Sequence, residues 1–401
     1  MSDPGTMALE CGGRVDFGRL RRERLARGLA EMERDGLDAL LLGREANARY
    51  VSGARRLWTC GLRPFAPGCV VLREGAEVHL LSTWDEGIPP EIPRERLFQT
   101  TWNPRRLLAQ LAGVEGLRRA RRIGVDGMTP AFAQALRTAF PDAEFADGSA
   151  TLLRARSRKT PDELECIRTA VAIAEGALIE VARHVRPGVG ERTLRGLFAE
   201  AAARQGTPIQ ALEASFCATP TEREGDDTAP PLRQLVSERP LEEGDLLLCH
   251  GGVLYAGYEG GVGRPLLCAG GDPLRSAAQR DRVARLEALM ESLRAACRPG
   301  AEAAELYRAY ERAGEPLPRL PVLHGVGLGV EPPIAGPNGD PAGARLETGM
   351  VVSIQGYVWR EGLGGCFGRE TLHITRRGPE RLDRLGYRFQ SAPPQLPTEP
   401  T

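Results

Sequence analysis

The hydrophobic pattern of this chain changes period several times. Over 19–35, Leu20, Leu25, Leu29 and Met32 recur at helical spacing among dense charges, and the run 37–42 that follows reads as a strand. Residues 47–53 read as a turn and helix, 69–72 and 77–81 as hairpin strands around Glu74-Gly75, and 104–112 as a helix. A strand over 122–126, a helix over 130–139 and a short strand near Glu144 continue the alternation, which predicts a compact α/β domain over 19–153. A second domain is expected over 154–380. Its long first helix starts at Thr160, with Pro161 at the first helical position and Glu163 completing a capping box. Leu164, Ile167, Val171, Ala174 and Leu178 keep its spacing until Pro187-Gly188. A helix over 191–204, a strand over 207–218, an acidic loop over 222–231 and helices over 274–297 and 301–313 follow. The tail 1–18 reads as disordered, and 381–401 as a proline-rich tail.

Three further segments are apolar runs that open into glycines and then polar residues: 246–264, 323–333, and 349–357 continuing to 364–371. Strands give such segments rigidity, and glycines let a ligand approach the backbone, so the active site is expected here.

Composition narrows the function classes. The 53 basic and 53 acidic side chains cancel, which argues against a nucleic-acid or anionic-membrane partner. No apolar run is long enough to span a membrane and the N-terminus has no apolar signal core, so a cytoplasmic protein is expected. Nine cysteines without a Cys-x-x-Cys pair predict free buried thiols, not a disulfide framework or zinc site.

The order and spacing of several segments carry a resemblance: Asn47…Tyr50-Val-Ser-Gly53, Arg158-Lys-Thr-Pro-Asp-Glu-Leu164, Gly244-Asp-Leu-Leu-Leu248, Tyr255-Ala-Gly-Tyr258, His324-Gly-Val-Gly-Leu328, Leu346-Glu-Thr-Gly-Met-Val-Val-Ser-Ile354 and Gly364-Gly…Glu370-Thr-Leu. Over 19–378 the chain resembles the creatinase / Xaa-Pro aminopeptidase / methionine aminopeptidase superfamily. The resemblance implies an N-terminal creatinase-type α/β domain followed by a C-terminal pita-bread domain, an α/β (α+β) chain. It also implies a homodimer, with Arg55, Arg56 and Trp58 as candidate contributors to the partner's pocket.

The family's peptidases hold two divalent metals with two Asp, one His and two Glu. At those positions this chain has His250, Gly261, His324, Gln355 and Arg369, with Glu370 one place on. Hard divalent ions are held by carboxylates that also neutralise them, whereas a guanidinium repels a cation. The loop histidine of the peptidases and of creatinase has no counterpart in 218–228, where Asp226 and Asp227 stand instead.

The expectation is therefore a metal-independent enzyme with no cofactor, using His250 and His324 for acid/base catalysis on a small anionic, amino-acid-derived substrate. C–N hydrolysis, elimination and isomerisation all fit. Arg369, Gln355, Glu370, Tyr258, Arg264 and Glu259 are the candidate substrate-binding residues. A non-catalytic ligand-binding or partner-binding member and an atypical metallopeptidase are the alternatives. In the bland reading both histidines are satisfied by backbone, and Arg369 pairs with Glu370 or another acid.

Overall fold

The computed structural model describes residues 14–54, 67–82, 87–207, 210–223, 229–268, 277–336 and 343–387. Arg55, Arg56, Trp58, Asp226, Asp227 and residues 1–13 and 388–401 of the expected tails lie outside the described residues, whereas the remainder of both tails is folded: a helix opens at Phe17, and Leu382, Asp383, Leu385 and Tyr387 are buried. The chain divides into two compact units, Met1–Glu163 and Leu164–Thr401.

The first unit runs α1 (Phe17–Arg34), β1 (Ala39–Leu42), α2 (Glu45–Ser52), β2 (Cys69–Leu72), β3 (Glu77–Leu81), β4 (Leu97–Phe98), α3 (Pro104–Ala112), α4 (Glu115–Arg119), β5 (Arg122–Asp126), α5 (Pro130–Ala139), β6 (Glu144–Asp147) and α6 (Gly148–Ser157). Its sheet has the order β4-β3-β2-β1-β5-β6. The signature Asn47…Tyr50…Gly53 proves to be scaffolding. Asn47 Nδ2 donates to Asp126 at the end of β5 (2.6 Å), its Oδ1 accepts from Arg156 (2.7 Å), and Tyr50 Oη donates to the Ala155 carbonyl (2.9 Å). Gly53 ends α2 at φ 71°, a conformation that favours glycine. The expected boundary at 153/154 falls inside α6. Asp147 caps that helix by accepting from Ser149 N (2.8 Å), and it belongs wholly to the first unit.

The second sheet collects the glycine-bearing segments. α7 (Pro161–Ala182) opens with the expected capping box: Thr160 N donates to Glu163 Oε2 (2.8 Å) and Glu163 N to Thr160 Oγ1 (3.2 Å). There follow α8 (Glu191–Arg204), β7 (Gln210–Ala218), β8 (Leu246–Tyr255), β9 (Tyr258–Leu267), α9 (Ala277–Ala296), α10 (Glu305–Ala313), β10 (Leu323–Gly327), β11 (Gly329–Ala335), β12 (Val351–Arg360), β13 (Gly364–Thr375) and β14 (Gly378–Arg381). The strand order is β11-β10-β12-β13-β9-β8-β7, with β14 on β13. α10 starts later than the 301 expected, because Glu302 bridges Arg345 and Ala303 N donates to the Ala344 carbonyl (2.9 Å).

Helices cover one face of this sheet, and glycines mark the closest approaches. A Cβ at Gly260 would meet Val171 N at 2.4 Å and Ala170 C at 2.6 Å on α7; at Gly251 it would meet Phe198 of α8, and at Gly356 Met290 of α9. Side chains alternate along a strand, so these glycines fix the direction of their neighbours. His250, Glu259, Gly261 and Gln355 lie on the opposite face, where the site is.

Candidate functional site

Strand register sets out a row of residues on that face. His250 of β8 pairs with Gly263 of β9, Gly263 with Arg369 of β13, and Arg369 with Gln355 of β12. One step along, Ser353 pairs with His324 of β10. The Arg369 side chain extends along the sheet over Gly261. There Nη2 donates to Glu259 Oε1 at 2.6 Å and Nε to Ser353 Oγ at 2.8 Å. A Cβ at Gly261 would sit 3.1 Å from the guanidinium carbon, and one at Gly263 2.9 Å from Arg369 Cβ. Those two glycines leave the channel in which the arginine lies.

The imidazoles flank this ion pair. Burial pushes the His250 pKa down to about 3, with the Arg369 charge adding to the effect. For His324, burial and then Arg369 push it down to about 4, while Glu259 pulls the other way. Both rings are therefore neutral near pH 7. His250 Nδ1 and His324 Nε2 are buried without a hydrogen-bond partner among the described residues. Buried polar atoms are nearly always paired, so each of these nitrogens is a position that a ligand or an ordered water can complete. Gln234 Nε2 lies 3.5 Å from His250 Nε2, and the Phe367 ring centroid is 5.5 Å from that of His250.

Not every expected residue reaches this face. Glu370 points the other way, accepting from Arg294 Nε (3.0 Å) and Tyr387 Oη (2.9 Å). Arg264 also lies behind the sheet, paired with Asp383 and donating to the carbonyls of Leu385 and Arg369. Tyr258, two residues before Gly260, shares the helix-covered face. These three are placed with the scaffold, because adjacent strand positions alternate faces. Gln355 is on the site face but donates its amide to the Pro321 carbonyl (3.1 Å). Arg369 pairs with Glu259 and not with Glu370.

Sequence reasoning missed Ser353 and Gln234. Ser353 stands two residues from Gln355 on one strand, a spacing that puts both on one face. Gln234 arrives from a loop with no motif. That loop is pinned across the site face: Tyr357 Oη donates to the Pro231 carbonyl (2.9 Å), Trp359 Nε1 to Pro220 (2.7 Å) and Ser215 Oγ to Gln234 (2.6 Å).

The creatinase-type domain, the helix-backed curled sheet and this row of residues define the class, a two-domain pita-bread protein. The chain belongs to the Metallopeptidase family M24, whose model matches residues 165–376, and the Creatinase/Prolidase N-terminal domain matches 24–158. It is 23% identical over 378 residues to an Xaa-Pro dipeptidase from Pyrococcus horikoshii (91% of this chain, 98% of the relative), and 23% over 373 to one from Pyrococcus furiosus (90% and 98%). Among solved structures, the prolidase from Pyrococcus horikoshii superposes with a TM-score of 0.70 at 20% identity (90% and 98% covered). The X-Pro aminopeptidase from Thermotoga maritima superposes at 0.71 and 18% identity (90% and 98%).

A metallopeptidase family implies metal, and the residues here do not fit one. Among the described residues no three His, Cys, Asp or Glu side chains are grouped so as to hold an ion. Glu259, the carboxylate on the site face, is engaged by a guanidinium lying where a cation would have to be neutralised.

Proposed function

We propose that the protein is a metal-independent enzyme of this superfamily that binds a small, amino-acid-derived carboxylate and moves a proton on it with His250 and His324. The observation that carries this reading is the pair of neutral imidazoles with orphaned ring nitrogens flanking Arg369. Arg369 uses Nε and Nη2 for Ser353 and Glu259, which leaves Nη1 to grip a carboxylate. Arrival of that anion offsets the guanidinium charge and raises the pKa of each imidazole, so substrate binding makes the resting weak bases stronger. C–N hydrolysis, elimination and isomerisation all need such a proton transfer. A homodimer, from the resemblance, and a cytoplasmic location, from the sequence pattern, are part of the same proposal.

A second reading, a ligand-binding member without catalysis, draws support from the extent to which Arg369 is already satisfied internally. Turnover assays with carboxylate-bearing amino-acid derivatives, combined with metal analysis, separate the two. The enzyme reading predicts activity that survives chelator dialysis and falls by about 100-fold or more in His250→Ala or His324→Ala. Stoichiometric zinc, manganese, iron or cobalt in active protein would overturn the metal-independent claim. Binding without turnover of any derivative would favour the second reading.

A further inference from the structure

Glu259 and Arg369 form an oppositely charged couple on β9 and β13, with side chains only 3% and 1% exposed. The couple is incompletely used. Among the described residues, Arg369 donates through Nε and Nη2 while Nη1 carries no hydrogen bond, and Glu259 accepts at Oε1 while Oε2 carries none. The buried cation thus keeps one donor and the buried anion one acceptor, and the Nη2–Oε1 bond joins the two groups. With both imidazoles neutral, the charged groups facing each other here, Glu259 from β9 and Arg369 from β13, sum to zero.

Net charge then selects the ligand. A bare carboxylate at Nη1 would leave a surplus negative charge away from water, and a bare ammonium at Oε2 a surplus positive one, each a desolvated charge without full compensation. A ligand carrying both groups keeps the site neutral and meets each free atom with its opposite. Resting on the carboxylate grip proposed above, we infer that the Glu259–Arg369 couple is a cradle for a zwitterion. The carboxylate goes to Arg369 and the ammonium to Glu259, and the substrate class is an amino acid or derivative with an unblocked amine. Leu248, Tyr357, Trp359 and Phe367 cluster on the same face, packed with Leu232 and Leu320, and make that side of the sheet apolar.

The test compares L-leucine, N-acetyl-L-leucine and L-leucinamide by titration calorimetry on the full chain at pH 7.4. Leucine is expected to bind at least about tenfold more tightly than either blocked analogue, the step of one uncompensated charge. Arg369→Gln should weaken leucine and N-acetyl-leucine while sparing leucinamide. Glu259→Gln should erase the advantage of leucine over N-acetyl-leucine. If N-acetyl-leucine matches leucine and Arg369→Gln weakens both, the cradle fails and the carboxylate grip stands. Binding indifferent to Arg369 overturns both, and no binding of any of the three overturns the cradle. Should Glu259→Gln not fold, the three-ligand comparison on the unaltered protein still decides, and Glu259→Gln/Arg369→Gln, which keeps the site neutral, should lose all discrimination.

Discussion

His250 and His324 make a prediction about stability as well as chemistry. Their pKa values stand at about 3 and about 4 in the folded chain, against an ordinary 6.5. Below pH 6.5 the unfolded chain takes up protons on these rings that the folded chain refuses. The stability they contribute is therefore present above pH 6.5 and is lost as pH falls toward 4 and then 3. Each histidine adds about 1.4 kcal/mol per pH unit to that loss. Urea unfolding between pH 6.5 and 4.5 should show a slope that His250→Gln lowers by about this amount. An unchanged slope would mean that the ring is not buried neutral.

Individual elements were legible in the sequence, but the faces of the central strands were not. The capping box at Thr160, the α2 terminus at Gly53 and the strand character of the glycine-bearing segments could all be read from residue type and spacing. The sorting of Glu259 from Tyr258, or of Arg369 from Glu370, could not. β9 is buried along nearly its whole length and β13 on both faces, so no polar and apolar alternation tells one side from the other. The motif positions placed all four residues near the site, and only the alternation set by the close packing of Gly260 and Gly356 on helices divided them. That packing is itself testable. Gly260→Ala puts a methyl within 2.4–2.6 Å of the α7 backbone, which cannot move aside like a side-chain tip. The cost should be about 3 kcal/mol, the upper part of the overpacking range, measured by chemical denaturation. Gly244→Ala, where a Cβ meets nothing but φ is 93°, separates backbone strain from collision. A Gly260→Ala cost no larger than that of Gly244→Ala would show that α7 does not lie so close.

The second unit as a whole is closed by a segment beyond the family match, residues 382–387. Its backbone and side chains meet three elements behind the sheet. Arg264 of β9 pairs with Asp383 and donates to the Leu385 carbonyl, Tyr387 Oη donates to Glu370 of β13, and Glu175 of α7 accepts from Arg384 N and Leu385 N. Arg264 also donates to the Arg369 carbonyl (2.7 Å), so the segment supports from behind the strand that carries the site's arginine. Buried charge makes the arrangement all-or-none: Arg264 and Asp383 side chains have no exposed surface, and removing one partner strands the other charge away from water. Asp383→Ala should therefore cost about 3–5 kcal/mol, in contrast to the 1 kcal/mol or less typical of an exposed pair. Arg381, which also reaches Asp383 and Glu370, retains an acidic partner in that variant, whereas Arg264 keeps only carbonyls and the face of the Tyr387 ring. Urea denaturation of Asp383→Ala beside Glu238→Ala, whose partner Arg192 lies at the surface, supplies the comparison. Equal costs in the two variants would mean that residues 382–387 are an appendage and not part of the fold that holds Arg369 in place.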